Sequence, residues 1–389
     1  MIRLELDERY RELRASGRIT RVELPYGGRA WLATRYDHVR TVLSDPRFSR
    51  AAAAGADIPR VTPEIQTTLR DEPVLLDMDP PEHTRIRGLV AKVFTARRVE
   101  RLRPRVQRIA DELLDTMLAG SAPANLVNAF TMPLPLITIC ELLGVPPEDQ
   151  VGFRAWVEAD PAVTAFGPEE IERAREMVEG YLIGLIAARR AAPRDDLLSA
   201  LVAAKDREQL LTERELEVLA MTLLVGGYET AADQIGNFCY TLLSRPERYA
   251  ELVAEPELLP SAIEELLRFV PLGASAGFPR MATEDVWLGD TLVRAGEVVF
   301  AQADSANRDE DVFDRPDTVD FRRDPNPHLG FLHGPHHCLG AQLARVELRV
   351  ALGTLLRRLP DLRLAVPAEE VPFRSGRLTR GVYALPVVW

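Results

Sequence analysis

With 389 residues and a formal net charge of −11, the chain is too acidic for a general nucleic-acid binder. Its 46% hydrophobic and 28% charged residues are ordinary for a folded soluble protein, and no apolar run is long enough to span a bilayer. The first nine residues, Met1 to Arg9, lack the apolar core of a secretion signal, and the three cysteines are too few and too widely spaced for a disulfide framework, which fits the cytoplasm.

Most of the chain carries helical periodicity. Tyr10 to Ser16 predicts a short helix, Ile19 to Ala33 a β-hairpin around Pro25-Tyr26-Gly27-Gly28, and Asp37 to Leu43 a second helix. Residues 50–73, rich in Ala, Pro and Thr, predict a long loop with at most one short helix. A helix from Pro80 to Phe94 follows, its prolines in the first turn where a missing N–H does no harm. Further helices are predicted near 98–119, 129–143, 148–158, 168–190 and 194–204. Thr212-Glu213-Arg214-Glu215 forms a capping box, and the helix it opens continues to Ser244, roughly 48 Å at 1.5 Å per residue. Helices at 246–254 and 257–269 lead into short strands at 286–288, 292–293 and 298–300. An irregular stretch over 305–337, a helix over 341–359 and strands at 362–364 and 383–389 complete the chain.

Four groups of residues carry chemistry. The first is Phe331-Leu332-His333-Gly334-Pro335-His336-His337-Cys338-Leu339-Gly340, a glycine-pinned loop that delivers one sulfur just before a helix. A helix N-terminus favours the thiolate, and a thiolate can ligate heme iron and push electron density toward O–O cleavage. A buried free cysteine is the plain alternative. The second is Gly226-Gly227-Tyr228-Glu229-Thr230, at the centre of the long helix. Two helical glycines cost up to ~1 kcal/mol each, which points either to a flat group near the backbone or to a tight helix crossing. The adjoining carboxyl and hydroxyl can organise proton delivery, although a threonine bonding back to its own helix is the default. The third is Glu265 and Arg268, an i,i+3 pair that means little alone. The fourth is His83, Arg87 and Arg280, cationic or N–H donors suited to partly buried carboxylates.

Taken in order and spacing, these motifs resemble the cytochrome P450 family, most closely its soluble bacterial, actinomycete-like members, over nearly the entire chain. The resemblance implies a mainly α fold with small β-sheets, a single domain over 1–389, and heme between a long central helix and the Cys-ligand loop and helix. It implies heme b (iron protoporphyrin IX) with Cys338 as the thiolate ligand, shielded by Phe331. His83, Arg87, Arg280 and His336 would hold the propionates, and Gly226 and Gly227 would leave room for O2 beside the acid–alcohol pair of Glu229 and Thr230. Leu332 stands where the family usually has glycine, Tyr228 where histidine is frequent, and Ala231 where a second Thr or Ser is common. Glu265 and Arg268 would form a buried structural pair. Its usual third, basic partner aligns with Thr318, leaving Arg315 or Arg322 as substitutes.

The activity implied is a monooxygenase that hydroxylates or epoxidises a small, mostly apolar molecule of secondary metabolism, such as an antibiotic precursor. The chain has no nicotinamide or flavin fingerprint, so electrons would come from ferredoxin and its reductase. Residues 83–108 carry nine basic side chains against Glu100 alone, a candidate docking face for an acidic carrier. A cytoplasmic monomer without membrane or nucleic-acid partners is expected. Pocket walls are expected from Pro73 to Leu76 (with Leu75), Pro161 to Phe166, Leu223, Leu272 to Ala276 (with Ala274), and Leu378-Thr379. Two other readings compete. One is a peroxide-using or non-oxygenating heme-thiolate protein, relatives of which generally lack the acid–alcohol pair; the other is a heme sensor or scaffold without turnover.

Overall fold

The computed structural model describes residues 4–389 apart from 55, 61–73, 92–93, 151–167, 207–209, 274–276, 376 and 378. Helices run in the order α1 (Arg9–Ala15), α2 (Tyr36–Ser44), α3 (Glu82–Ala91), α4 (Ala96–Leu118), α5 (Pro133–Leu143), α6 (Pro168–Ala191), α7 (Leu197–Asp206), α8 (Glu213–Leu243), α9 (Pro246–Ala254), α10 (Leu259–Phe269), α11 (Ala303–Ala306) and α12 (Ala341–Arg358). Strands are β1 (Thr20–Leu24), β2 (Gly28–Ala33), β3 (Phe48–Ser49), β4 (Ala124–Asn125), β5 (Arg280–Ala282), β6 (Val286–Leu288), β7 (Thr291–Val293), β8 (Val298–Ala301), β9 (Arg363–Leu364) and β10 (Pro386–Val388). The mainly α architecture with small sheets is as expected.

The chain divides into two compact units: a sheet unit of Leu4–Gly88 and Glu264–Leu339, and a helical unit of Leu89–Ile263 and Gly340–Trp389. In the sheet unit, five strands lie in the order β1-β2-β8-β5-β3. β2 and β8 run parallel, with Trp31 opposite Val299, and β5 pairs antiparallel with β8, with Arg280 also opposite Val299. All four residues of β8 are buried, because alternate side chains enter two different cores. Val299 and Ala301 pack with Val39, Val42 and Leu43 of α2, while Val298 and Phe300 pack with Ala30, Leu32 and Ile58. This central strand fixes the level at which Arg280 leaves the sheet. β6 and β7 form a separate hairpin.

The helical unit is organised on α8, which contacts α5, α6, α7, α9 and α12. The predicted capping box is present: Glu215 N–H donates to Thr212 Oγ1 at 3.0 Å, and Thr212 N–H to Glu215 Oε2 at 2.7 Å. From Ala231 to Leu243 every residue of α8 is buried, so the helix shows no polar face over its second half. α12 also packs on α4, and β4, β10 and β9 form a small antiparallel sheet.

Several boundaries shift for local reasons. The helix expected from 129 begins at Pro133, after a π-helical turn at Val127–Thr131, because Pro133 and Pro135 lack the N–H that a helix interior requires. The helix expected from 257 opens with a 3-10 turn, Pro256–Leu258, and α10 begins at Leu259. The strand expected over 383–389 contracts to Pro386–Val388. The short helix allowed within the 50–73 loop past residue 60, most of the helix expected at 148–158, and the pocket segment 161–166 lie outside the described residues, as do Pro73, Ala274 and Leu378.

Candidate active site

Cys338 ends a tightly determined loop in the sheet unit. His337 N–H donates to Gly334 O at 3.0 Å and Cys338 N–H to Phe331 O at 2.9 Å, curling the chain through a 3-10 turn at Gly334–His336. Gly334 has φ +73°, and a side chain there would overlap the Leu43 carbonyl, so only glycine fits. Leu332 has φ +60°, the left-handed region, which explains the glycine the family places there. Its side chain packs on the core around Leu43 and Leu329, which offsets part of the strain. Cys338 is exposed, whereas Cys140 and Cys239 are buried and burial pushes both thiols up to about 12. Of the three cysteines, Cys338 is thus the one with an accessible thiol. α12 starts three residues later, capped by Gly340 with no side-chain acceptor on its first N–H groups.

Around this loop the sheet unit gathers cationic and imidazole groups. The His83 and His336 rings lie 4.4 Å apart, centroid to centroid. His83 Nε2, His336 Nε2 and Arg280 Nε are buried without a hydrogen-bond partner. Burial, with Arg280, His83 and Arg50 nearby, pushes His336 down to about 3. Burial and Arg87 push His83 down as well, and burial with Arg50 lowers Arg280 to about 10. Arg87 Nη2 donates to His337 O at 2.5 Å, tying α3 to the cysteine loop. Buried donors that repel one another and lack acceptors fit a group carrying two carboxylates. Phe331 lies 6.3 Å from the His337 ring and 6.4 Å from that of His328, at the base of the loop.

Arg50, which the sequence did not single out, braces this constellation. Its guanidinium donates to Pro279 O at 2.5 Å, to Leu76 O at 3.1 Å and to Asp77 Oδ1 at 2.5 Å. One buried side chain thus fastens the segment before Arg280 and the turn before α3. Leu75 lies in that turn and is buried, and Leu272 is half-buried. A single arginine after a short strand gives no sequence signal for such a role.

The Glu265–Arg268 pair is buried and bidentate, at 2.8 Å (Nε to Oε2) and 2.7 Å (Nη2 to Oε1). The expectation for its third partner is corrected. Arg323, not Arg315 or Arg322, donates from Nε to both Glu265 oxygens at 3.2 and 3.1 Å. Arg315 is exposed and pairs with Asp314, while Thr318 contributes only its backbone carbonyl, to Arg268. Arg315 sits in a left-handed turn at φ +45°, and Arg323 reaches back to the carbonyls of Asp314 and Arg315 as well as to Glu265.

In the helical unit, Gly226 and Gly227 separate in role. A side chain at Gly226 would meet nothing within 4 Å, but at Gly227 its Cβ would lie 2.8 Å from Ile139 Cδ1. Gly227 therefore serves the close crossing of α5 and α8, the second of the two readings the sequence allowed. Thr230 Oγ1 donates to Gly226 O at 3.0 Å, the ordinary bond of a helical threonine. Glu229 is 5% exposed and hydrogen-bonded by Arg377. Burial and Asp233 push its carboxyl up to about 7 against the pull of Arg377 and Arg374. Tyr228 and Leu223 are buried on the same helix. Thr379, expected in a pocket wall, donates its hydroxyl to Asp233 Oδ2 at 2.7 Å. Arg374 and Arg377 lie far from Glu229 in sequence and Asp233 one turn along the same helix, and all three were missed because isolated charges look like surface residues.

On α4, Arg97, Arg98, Arg101 and Arg108 are exposed, while Arg103 pairs with Glu100 and Arg105 with Glu141. Among the described residues no helix is long and apolar enough to cross a membrane.

The Cytochrome P450 family model matches residues 168–371. The chain is 53% identical to Nocardicin C N-oxygenase of Nocardia uniformis subsp. tsuyamanensis, over 100% of this chain and 96% of the relative. It is 50% identical to Mycinamicin IV hydroxylase/epoxidase of Micromonospora griseorubida, over 99% and 96%. Among solved structures, the LnmA cytochrome P450 hydroxylase from the leinamycin biosynthetic pathway of Streptomyces atroolivaceus S-140 superposes with a TM-score of 0.94 at 49% identity, covering 100% and 98%. Similarity of this depth over the full length makes the chain a member of the cytochrome P450 family, a P450 monooxygenase.

Proposed function

We propose that the protein is a heme-thiolate monooxygenase of secondary metabolism, inserting one oxygen atom of O2 into a mostly apolar small molecule by hydroxylation or epoxidation. The observation that carries this reading is the set of buried, unpartnered nitrogens of His83, His336 and Arg280 gathered in the unit that presents the accessible Cys338 sulfur. His83, Arg87, Arg280 and His336 would hold the carboxylates of a heme, and Cys338 its iron, with residues 1–389 acting as one catalytic domain. The bound heme supplies the iron at which O2 is activated. The chain's own residues orient that group, shield the sulfur through Phe331, and bring protons through Glu229 and Thr230. Because Thr230 Oγ1 donates to Gly226 O, its lone pairs are left to accept a proton-bearing donor.

Electrons would come from ferredoxin and its reductase, docking on the exposed arginines of α4. Relatives named for oxygenating nocardicin C and mycinamicin IV, and a hydroxylase of the leinamycin pathway, support a substrate from antibiotic biosynthesis. The test is the carbon monoxide spectrum of the reduced, heme-reconstituted protein. A thiolate-type band that Cys338→Ala abolishes is expected. A band of imidazole or neutral-thiol type in the unaltered protein would overturn the reading.

A further inference from the structure

Four charged groups, Glu229, Asp233, Arg374 and Arg377, gather where the 373–382 segment meets α8. Glu229 and Asp233 lie one turn apart on α8 and are 5% and 3% exposed. The segment 373–382 is closed by a Phe373–Val382 bridge and by Arg374 N–H donating to Gly381 O at 2.8 Å. Asn237 Nδ2 donates to Arg380 O at 2.8 Å, pinning this segment to α8. Arg377 bonds Glu229 directly. Arg374 Nη1 stands 3.9 Å from Glu229 Oε1 and 3.6 Å from Asp233 Oδ1, close enough for attraction but too far for a hydrogen bond to either. The Asp233 carboxyl rests against the Gly381 backbone, where any side chain would overlap it. The neutral hydroxyl of Thr379 donates to Asp233 Oδ2 at 2.7 Å.

We infer that Asp233 is a second carboxyl of the proton-delivery machinery, sharing one proton with Glu229. Two buried carboxylates one turn apart repel, and ionising both places two charges out of water with, among the described residues, one direct cationic hydrogen bond, from Arg377 to Glu229. Holding one proton on the pair relieves both costs. When Glu229 passes that proton toward the Thr230 hydroxyl, the pair becomes doubly ionised, and Arg377 and Arg374 balance its two charges. A proton from water then refills the pair. No bond other than O–H forms or breaks. Burial pushes both acids up, in the direction the sharing requires. The charged groups acting on Glu229 are Asp233 on α8 and Arg377 and Arg374 on the facing segment. The inference rests on the proposed role of Glu229 and Thr230, but its test does not.

Infrared spectroscopy of the purified protein without substrate reads the protonated carboxyl directly. A carboxylic-acid band present at neutral pH and lost on alkaline titration is expected. Both Asp233→Asn and Glu229→Gln should change its frequency and midpoint, whereas Asp111→Asn, on α4, should change neither. Thr379→Val, which removes only the hydroxyl donor to Asp233, should shift the same midpoint upward and covers the case in which Asp233→Asn fails to fold. Sharing is overturned if Asp233→Asn, or Thr379→Val in its place, leaves the band and midpoint unaltered. The relay reading fails separately, if Glu229→Gln and Thr230→Ala leave the coupling of oxygen uptake to product formation unchanged.

Discussion

His336 and Glu229 show how burial sets protonation one residue at a time. His336 is pushed down to about 3 by burial and by neighbouring Arg280, His83 and Arg50, so its imidazole is neutral at pH 7. Adding two carboxylates beside it should favour the charged form and raise its titration toward the ordinary histidine range. Nuclear magnetic resonance of the ring with and without heme, or its iron-free porphyrin, measures this; no upward movement would remove His336 from the carboxylate contacts. Glu229 shifts the other way, from 4.5 up to about 7. Between those values the folded chain binds more protons at this site than the unfolded chain. The site's contribution to stability is therefore complete below pH 4.5 and is lost as pH rises through about 7. Glu229→Gln should flatten that decline by roughly 1–3 kcal/mol in denaturant unfolding across the window. Cys338 and Glu229 were legible in sequence because neighbours within a few positions define their setting. Arg377 and Arg50 were not, because their partners lie far away along the chain, and Asp233 was not, because a carboxyl one turn further along a helix looks like a solvated side chain until its burial is seen.

The glycine pair on α8 yields opposite expectations at adjacent positions. Gly226→Ala meets nothing within 4 Å, so improved helix propensity should raise stability by up to ~1 kcal/mol. Gly227→Ala drives a methyl toward Ile139 Cδ1, and overpacking of roughly 1–3 kcal/mol should outweigh the propensity gain. Ile139→Val, which deletes that Cδ1, should recover part of the loss. Equal effects of the two alanine variants in thermal unfolding would contradict the separation of roles. The irregular 305–337 stretch offers a similar contrast. Arg323→Met strips one donor from the buried Glu265 and should cost roughly 1–3 kcal/mol, whereas Arg322→Met should lie within about 0.5 kcal/mol of the unaltered protein. The sequence marked Glu265 and Arg268 correctly as partners but could not choose the third, because the turn at Arg315 decides which basic side chain reaches back.

For the molecule as a whole, charge distribution matters more than net charge. An acidic chain with exposed Arg97, Arg98, Arg101 and Arg108 on one helix can steer an acidic electron carrier. Reversal of Arg97 and Arg101 to Glu should slow reduction by ferredoxin about tenfold at low salt, less at high salt, and leave substrate-induced spectral change intact. Unchanged stopped-flow reduction would exclude this face. The sequence by itself determined the family, the helix content and the long capped helix, and it singled out Cys338, His83, Arg87, Arg280 and His336 as candidates, since each is written in short-range spacing and order. Only the tertiary structure decided that Gly227 serves a helix crossing, that Arg323 completes the Glu265 pair, that Arg50 braces two segments, and that Glu229 faces Asp233 and two arginines. Those choices depend on burial and on contacts between distant segments, and a linear pattern does not encode which of many similar charges is taken out of water.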